Sequence, residues 1–425
     1  MPITVVIFVL LLLLNIPIAF VLGTASVSGL LIRNNVPLFV IPQRLFGGMD
    51  SFTMLAVPLF ILAGSLMEAG GISVRLMNLA KALVGHFRGG LAQVVVLAAM
   101  LFADMSGSTS ADTAAIGSLM IPQMVKSGYR RERGTAITAA ACGMGMLIPP
   151  CLTMVVYGVV ANVSISALFA AGIVPAILMA AALMLQVYIQ APKWNIPLEP
   201  RASLAMVGRR GKEAALAIGM PVIILGGILG GIATPTEAAV LAVLYAMILG
   251  LVIYRTVSIP AMFRIVVNAG VTSGMVMLLI GMATLFGWLL AVENIPGTIA
   301  TLLSELPGGQ VAFLLLNTVI YWFFGMLMEG TPALILLVPI TLPIATRLGI
   351  DPVHYGIMLI ANQGIAVMTP PVGISLFIAC SVGQVSVAQV SKTLVPYLLV
   401  MAAILLVITF VPAIPLFLPH LMGLH

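Results

Sequence analysis

The stretch from residue 104 to residue 151 strongly constrains the fold, because it interrupts apolar sequence twice. Its first part, DMSGSTSADTAAIG, packs hydroxyl side chains around a glycine between two aspartates, and its second, CGMGMLIPPC, places Pro149 and Pro150 after two glycines. Proline removes a backbone donor and clashes with the preceding helical turn. In lipid, irregular backbone is tolerated only where it lines a protein cavity. The stretch therefore predicts two broken elements that together bind something small.

Composition favours a membrane protein. Of the 425 residues, 62% are hydrophobic and 7% are charged, which is more apolar surface than a soluble protein of this size covers. The sequence thus predicts an all-α polytopic membrane protein. The three cysteines lie in apolar segments without CxxC spacing, so neither a disulfide framework nor a zinc site is indicated. The net charge of +6 comes from short loops, where it indicates orientation rather than nucleic-acid binding.

The chain contains an internal repeat. Residues 64–85 resemble residues 287–308, and the same register, with a two-residue gap, matches two polar tips and two proline pairs. The matched tips are residues 106–108 and 329–331, and the matched proline pairs are residues 149–150 and 370–371. Duplicated halves with matched broken helices are typical of secondary transporters.

The distribution of basic residues predicts the topology. Basic loops on both sides of residues 91–125 make this segment a re-entrant hairpin that enters from the cytoplasm. The second hairpin, residues 311–345, follows an odd number of crossings, so the two repeats are inverted. Each repeat also has a broken helix, at residues 134–158 and 353–379. The predicted divisions are 1–192 for the first repeat, 193–233 for a cytoplasmic loop and connecting span, and 234–425 for the second repeat.

About nine full spans are expected. The first covers residues 3 to about 31 and is retained, because it lacks the basic region and cleavage site of a signal peptide. The N-terminus is expected in the cytoplasm.

The tips offer hydroxyls, unwound carbonyls and helix N-termini, which suit Na⁺ and an organic anion side by side. We interpret Ser106, Gly107 and Ser108 as cation ligands, although small residues also allow close helix approach. Asp112 is either a functional intramembrane carboxylate or a partner for the start of the hairpin's second helix, and both readings stay open. Glu329 either supports the second tip by a hydrogen bond or ligates a cation directly.

Other polar residues divide into site and structural candidates. Asn362 and Thr369 flank the second break and are predicted to belong to a site. Glu237, in TPTEAA, is predicted to be a helix-start carboxylate. No phosphate loop, metal-ligand pair or nucleophile with a base is visible, so the sequence predicts neither an enzyme nor ATP hydrolysis. Two matched broken sites also favour alternating access over a channel.

The segments SFTMLAVPLFILAG, GSTSADTAAIGSLMIPQMVKSGY, IPP and TPPVG resemble the large membrane subunit of TRAP (tripartite ATP-independent periplasmic) transporters. The resemblance covers essentially the whole chain. It implies an elevator-type transporter fold of the ion-transporter superfamily, in the bacterial inner membrane, driven by a Na⁺ gradient and not by ATP. It also implies three partners: a small (Q-type) membrane subunit, a periplasmic substrate-binding protein and an organic acid anion as cargo. The alternative is a stand-alone sodium/dicarboxylate symporter that needs no binding protein.

The resemblance also implies residue roles. The first implied Na⁺ site comprises Ser106, Gly107, Ser108, Gly143 and Gly145. The second comprises Glu329, Gly330, Thr331, Gly364 and Thr369. Implied substrate contacts are Ser108, Ser110, Asp112, Thr153 and Arg44. The family commonly reads IPPS where this chain reads IPPC, so Cys151 puts one hydroxyl contact in question.

Overall fold

The computed structural model describes residues 2–14, 16–33, 37–102, 108–196, 200–304 and 308–424. Within these ranges the regular structure is helical and no strand occurs. Eight helices of the described part are long and apolar enough to cross a membrane. The prediction of an all-α polytopic membrane protein is therefore confirmed.

The first half contains a series of helices that begins with two short ones. The helices are α1 (Pro2–Leu13), α2 (Ile18–Arg33), α3 (Val40–Met49), α4 (Ala56–Ala69), α5 (Ile72–Val84), α6 (Gly90–Phe102), α7 (Thr109–Lys126), α8 (Arg131–Gly145), α9 (Leu152–Ala161) and α10 (Ile165–Gln190). The single first span predicted over residues 3 to about 31 is wrong, since α1 and α2 are separate helices. Pro17 lies directly before α2, and a proline cannot donate the backbone bond that would continue an earlier helix.

The second half continues the series. The helices are α11 (Leu204–Leu229), α12 (Pro235–Ile248), α13 (Ile259–Val292), α14 (Ile295–Ser304), α15 (Gly309–Leu327), α16 (Gly330–Arg347), α17 (Pro352–Ala366), α18 (Ile374–Gly383), α19 (Val387–Phe410) and α20 (Ala413–Leu421). Helix α11 begins within the predicted segment 193–233, at Leu204, where Ser203 caps it by accepting a hydrogen bond from the Met206 amide at 3.2 Å. Glu237 and Thr234 form a capping box at the start of α12, which confirms the helix-start role.

The hairpins and broken helices form where the sequence predicts them. Helices α6 and α7 make the first hairpin, and α15 and α16 make the second. Helices α8 and α9 are the halves of the first broken helix, and α17 and α18 are the halves of the second. Each break contains a proline pair joined by a cis peptide bond, Pro149–Pro150 and Pro370–Pro371.

The two repeats interlock at the centre of the molecule. Helix α7 packs against α18 and α16 packs against α9, so each hairpin lies on a half-helix of the other repeat. The turn after each hairpin contains a glycine with positive φ, 92° at Gly128 and 76° at Gly349. Residues with a side chain rarely adopt this backbone conformation, so both turns favour glycine. Hairpin, glycine turn and broken helix thus recur in the same order in both halves of the chain.

Helices α8 and α17 cross at the repeat-related glycines Gly143 and Gly364. A Cβ atom added to either glycine would collide with the carbonyl oxygen of the other. Two backbones approach this closely only where side chains are absent. The two hairpins and the two broken helices, α6–α9 and α15–α18, are called the core. Outside it, α2, α3 and α4 pack against α13, and α12 packs against α4, and these helices are called the rim.

Candidate functional site

The first hairpin tip is described from Ser108 onward, so Ser106 and Gly107 lie outside the described residues. Ser108 is the N-cap of α7 and has an extended backbone. Its hydroxyl accepts a hydrogen bond from the Ala111 amide at 3.4 Å and donates one to Glu329 Oε1 at 2.6 Å. The Ser108 side chain therefore links the first hairpin tip to the second by a hydrogen bond.

The second hairpin tip consists of Met328 and Glu329, two extended residues between α15 and α16. Glu329 is the N-cap of α16, yet its side chain makes no capping bond. Its carboxylate instead accepts the hydrogen bond from Ser108. A hydrogen bond with an ionised acceptor is stronger than a neutral one, so this contact is a firm link between the tips.

A second polar contact joins the repeats beside the tips. The Thr153 hydroxyl, in the first turn of α9, lies 3.4 Å from the Thr331 hydroxyl, in the first turn of α16. Together with the Ser108–Glu329 contact, it brings the N-termini of α7, α9 and α16 together. The first N–H groups of a helix lack partners within the helix and carry partial positive charge. The arrangement therefore suits an anion.

The glycine crossing brings together helix ends of the opposite polarity. Helices α8 and α17 both end just beyond it, at Gly145 and Ala366. Their last carbonyl groups lack partners within the helix and carry partial negative charge, which suits a cation. Met146, which follows α8, reaches the second tip, where a Cβ on Gly330 would lie 2.6 Å from its methyl carbon.

Two polar residues near the second break connect α17 with α15. The Thr369 hydroxyl donates to the Ile365 carbonyl at 2.7 Å and accepts from Trp322 Nε1 at 2.8 Å. Asn362 Nδ2 donates to the Thr318 carbonyl at 2.8 Å. Both residues therefore hold the hairpin to the broken helix.

The remaining predicted substrate contacts are placed differently. Asp112 is buried near the start of α7, within electrostatic reach of Cys142 on α8. Its position at a helix N-terminus is compatible with both roles considered for it. Ser110 is half-buried in the first turn of α7. Arg44 is exposed on α3, with its guanidinium carbon 5.3 Å from the ring centroid of Trp288, and no described contact joins it to the tips.

Gln363 belongs to this region and was missed by the sequence analysis. It is fully buried next to the crossing glycine Gly364, and neither amide atom has a hydrogen-bond partner among the described residues. The available signal was a glutamine within an apolar helix, beside a break. Polar side chains within membrane helices are commonly functional.

Comparison with known proteins adds a family. The sequence matches the family described as "Tripartite ATP-independent periplasmic transporter, DctM component" over residues 5–414. It is 43% identical to the isethionate TRAP transporter permease protein DctMQ of Oleidesulfovibrio alaskensis, over 96% of this chain but 65% of that protein. It is 38% identical to the sialic acid TRAP transporter large permease protein SiaM of Vibrio cholerae, over 96% of this chain and 95% of that protein.

A solved structure shares the fold. The crystal structure of the YdaH transporter of Alcanivorax borkumensis, which has an unusual topology, superposes with a TM-score of 0.62. The sequences are 17% identical, and the match covers 88% of each chain. At this identity the likeness supports the helical transporter architecture alone.

Proposed function

We propose that this chain imports a small organic acid anion by Na⁺-coupled secondary transport. The chain belongs to the DctM component family of tripartite ATP-independent periplasmic transporters, and the proposal starts from that membership. The cargo class is a carboxylate or a sulfonate. Relatives named for isethionate and sialic acid support it, since one is a sulfonate and the other a carboxylate.

One observation carries the proposal: helix ends of opposite polarity lie next to each other at the joined tips. The N-termini of α7, α9 and α16 meet through Ser108–Glu329 and Thr153–Thr331. The C-termini of α8 and α17 end beside the glycine crossing. An anion at the first group and cations at the second would neutralise each other without a buried lysine or arginine.

Two cation sites are proposed, with the ligands that the family resemblance implies. In the first, Ser106, Gly107 and Ser108 with Gly143 and Gly145 would supply hydroxyl and carbonyl oxygens. In the second, oxygen ligands would come from Glu329, Gly330, Thr331, Gly364 and Thr369. The proposed contacts with the anion are Ser108, Ser110, Asp112 and Thr153. Arg44, on the rim, would meet the anion only in a different arrangement of core and rim.

Movement of the core past the rim would provide alternating access. In this elevator mechanism, the two hairpins and two broken helices carry the cargo while α2, α3, α4 and α13 stay fixed. The proposed partners are a small membrane subunit and a periplasmic binding protein that delivers the cargo. We place the chain in the bacterial inner membrane with its N-terminus in the cytoplasm.

The test is uptake into proteoliposomes that contain the chain and its small membrane subunit. A sodium gradient is imposed, and isethionate, sialic acid and C4-dicarboxylates are offered with and without the periplasmic receptor. Uptake that requires both sodium and receptor is expected. Uptake with sodium alone would identify a stand-alone symporter, and sodium-independent or non-saturable flux would contradict the proposal.

A further inference from the structure

The Gln363 side chain is buried, but its amide makes no hydrogen bond to the described residues. Its relative exposure is 0%, and both Nε2 and Oε1 lack hydrogen-bond partners among the described residues. A buried amide without partners costs free energy, and such groups in a folded protein call for an explanation. In the neighbouring Asn362, Nδ2 donates to the Thr318 carbonyl on α15, whereas Oδ1 also lacks a partner among the described residues.

The Gln363 amide lies against the second hairpin tip. A Cβ added to Gly325, in the last turn of α15, would collide with Gln363 Oε1. A Cβ added to Gly330, the first residue of α16, would lie 3.5 Å from the Gln363 Cβ. The side chain therefore occupies space left free by the glycines on either side of the tip.

The electrostatic surroundings decide which end of the amide has a function. Gln363 lies in the last turn of α17, and Gly325 lies in the last turn of α15. The final carbonyl groups of both helices carry partial negative charge. The Gln363 amide oxygen adds its own partial negative charge at this place. The Gln363 amide nitrogen donates to no described carbonyl, so it does not reduce that charge. A positive charge between these groups would stabilise all of them.

We infer that Gln363 Oε1 is a side-chain ligand for a hard monovalent cation, Na⁺, bound between α17 and the second hairpin tip. The inference rests on the proposed sodium coupling and extends it by naming a ligand. Oxygen ligands are what such cations bind in transporters with broken helices.

The same position in the first repeat makes the two cation sites unequal. The register places Cys142 where the second repeat has Gln363. Cys142 is buried on α8. A thiol is a poor ligand for a hard cation. The second site therefore depends on a neutral side-chain oxygen that the first site does not have.

The experiment measures sodium binding without transport. The purified complex of this chain with its small membrane subunit is unfolded thermally across a NaCl series, with choline chloride holding the ionic strength constant. A ligand that binds only the folded state raises the unfolding temperature. Gln363→Met should raise the sodium concentration for half-maximal stabilisation about tenfold or more, since an oxygen ligand to a charged group is lost.

Gln93→Met is the matched control. Gln93 is also buried, and its Oε1 likewise lacks a partner among the described residues. Its Nε2 donates to the Arg88 and Met184 carbonyls, away from the tips. Its substitution should change the unfolding temperature without changing the sodium midpoint. Gln363→Glu keeps an oxygen in place and should keep the midpoint at or below the wild-type value. If Gln363→Met does not fold, Gln363→Asn, which withdraws the oxygen, should show the same shift in smaller degree.

The outcomes separate the inference from the function on which it rests. Absence of sodium stabilisation in the wild-type complex would contradict the sodium coupling itself. Sodium stabilisation that survives Gln363→Met, or that is lost equally in Gln363→Glu, would overturn the ligand assignment. Loss of anion binding with an unchanged sodium midpoint would also overturn it, because the amide would then serve the cargo.

Discussion

At the scale of single residues, the Ser108 hydroxyl links the start of α7 with the second hairpin tip. It closes the start of α7 by accepting from Ala111 and joins the two hairpin tips by donating to Glu329. The same hydroxyl is predicted to bind a cation. A single hydroxyl therefore couples the local structure of one repeat to the position of the other.

Replacing Ser108 by alanine should separate the tips and weaken transport. The lost bond has a charged acceptor, and such bonds contribute about 1.5–3 kcal/mol. We expect the sodium concentration for half-maximal uptake to rise roughly tenfold to a hundredfold in the proteoliposome assay. Ser118→Ala is the control, because Ser118 lies on the same helix but bonds only the Ala115 carbonyl. Unchanged uptake at limiting sodium would remove Ser108 from the site.

Asp112 gives a second test at this scale. Asp112→Ala should abolish uptake while assembly with the small subunit, measured by co-purification, stays intact. Asp112→Asn then separates the two roles, since an asparagine still supports the start of α7 but carries no charge. Loss of uptake in both variants would favour a role in binding, whereas normal uptake in Asp112→Asn would assign the carboxylate to the helix.

At the scale of elements, the core is built from helices that end early. Helices α8 and α17 end a few residues before their proline pairs, and their neighbours α9 and α18 begin just after them. The ends would be costly in lipid, because their backbone groups lack partners within the helix. They are tolerated here because both ends are buried within the protein, at residues 143–147 and 364–368.

The crossing of α8 with α17 leads to a prediction about packing. Gly364→Ala should destabilise the protein by about 1–3 kcal/mol and abolish uptake, because its Cβ would collide with the Gly143 carbonyl oxygen. The measurement is thermal unfolding in detergent. Gly274→Ala is the control, since Gly274 lies within α13 with nothing near its added Cβ. That variant should be neutral or slightly more stable, and an equally mild Gly364→Ala would show that the crossing can separate.

At the scale of the whole molecule, core and rim meet at a cleft of about 400 Å³. Ser51 and Thr53, before α4, line one side, together with Pro235 at the start of α12. The loop between α9 and α10 lines the other, with Asn162, Ser164 and Ser166 among its residues. Polar side chains on both sides of this cleft would allow the two parts to slide in contact with water.

Joining the two sides of this cleft should stop an elevator movement. We expect a cleavable bifunctional thiol reagent to arrest uptake in the Thr53→Cys/Ser166→Cys double variant, and a reductant to restore it. The native cysteines are buried, so each single variant serves as a control with the same reagent. Full uptake by crosslinked protein would contradict movement of the core past the rim.

Local signals and long-range contacts differ in how well the sequence predicts them. Prolines and polar tips within apolar sequence mark the hairpins and breaks, because their physical effect is local. The bond between Ser108 and Glu329 joins residues 221 positions apart, and the register had matched Glu329 with Ser106 instead. The space that the Gln363 side chain occupies likewise depends on Gly325 and Gly330, which belong to other helices. Features of this kind depend on how distant helices pack together, so the local sequence does not predict them.

The meeting of Gly143 with Gly364 has the form of an isologous contact, in which each partner presents the same atom to the other. Symmetric homodimers are built from such contacts. Here both partners belong to one chain, so the crossing of α8 and α17 is equivalent to a dimer interface between two halves of the same protein.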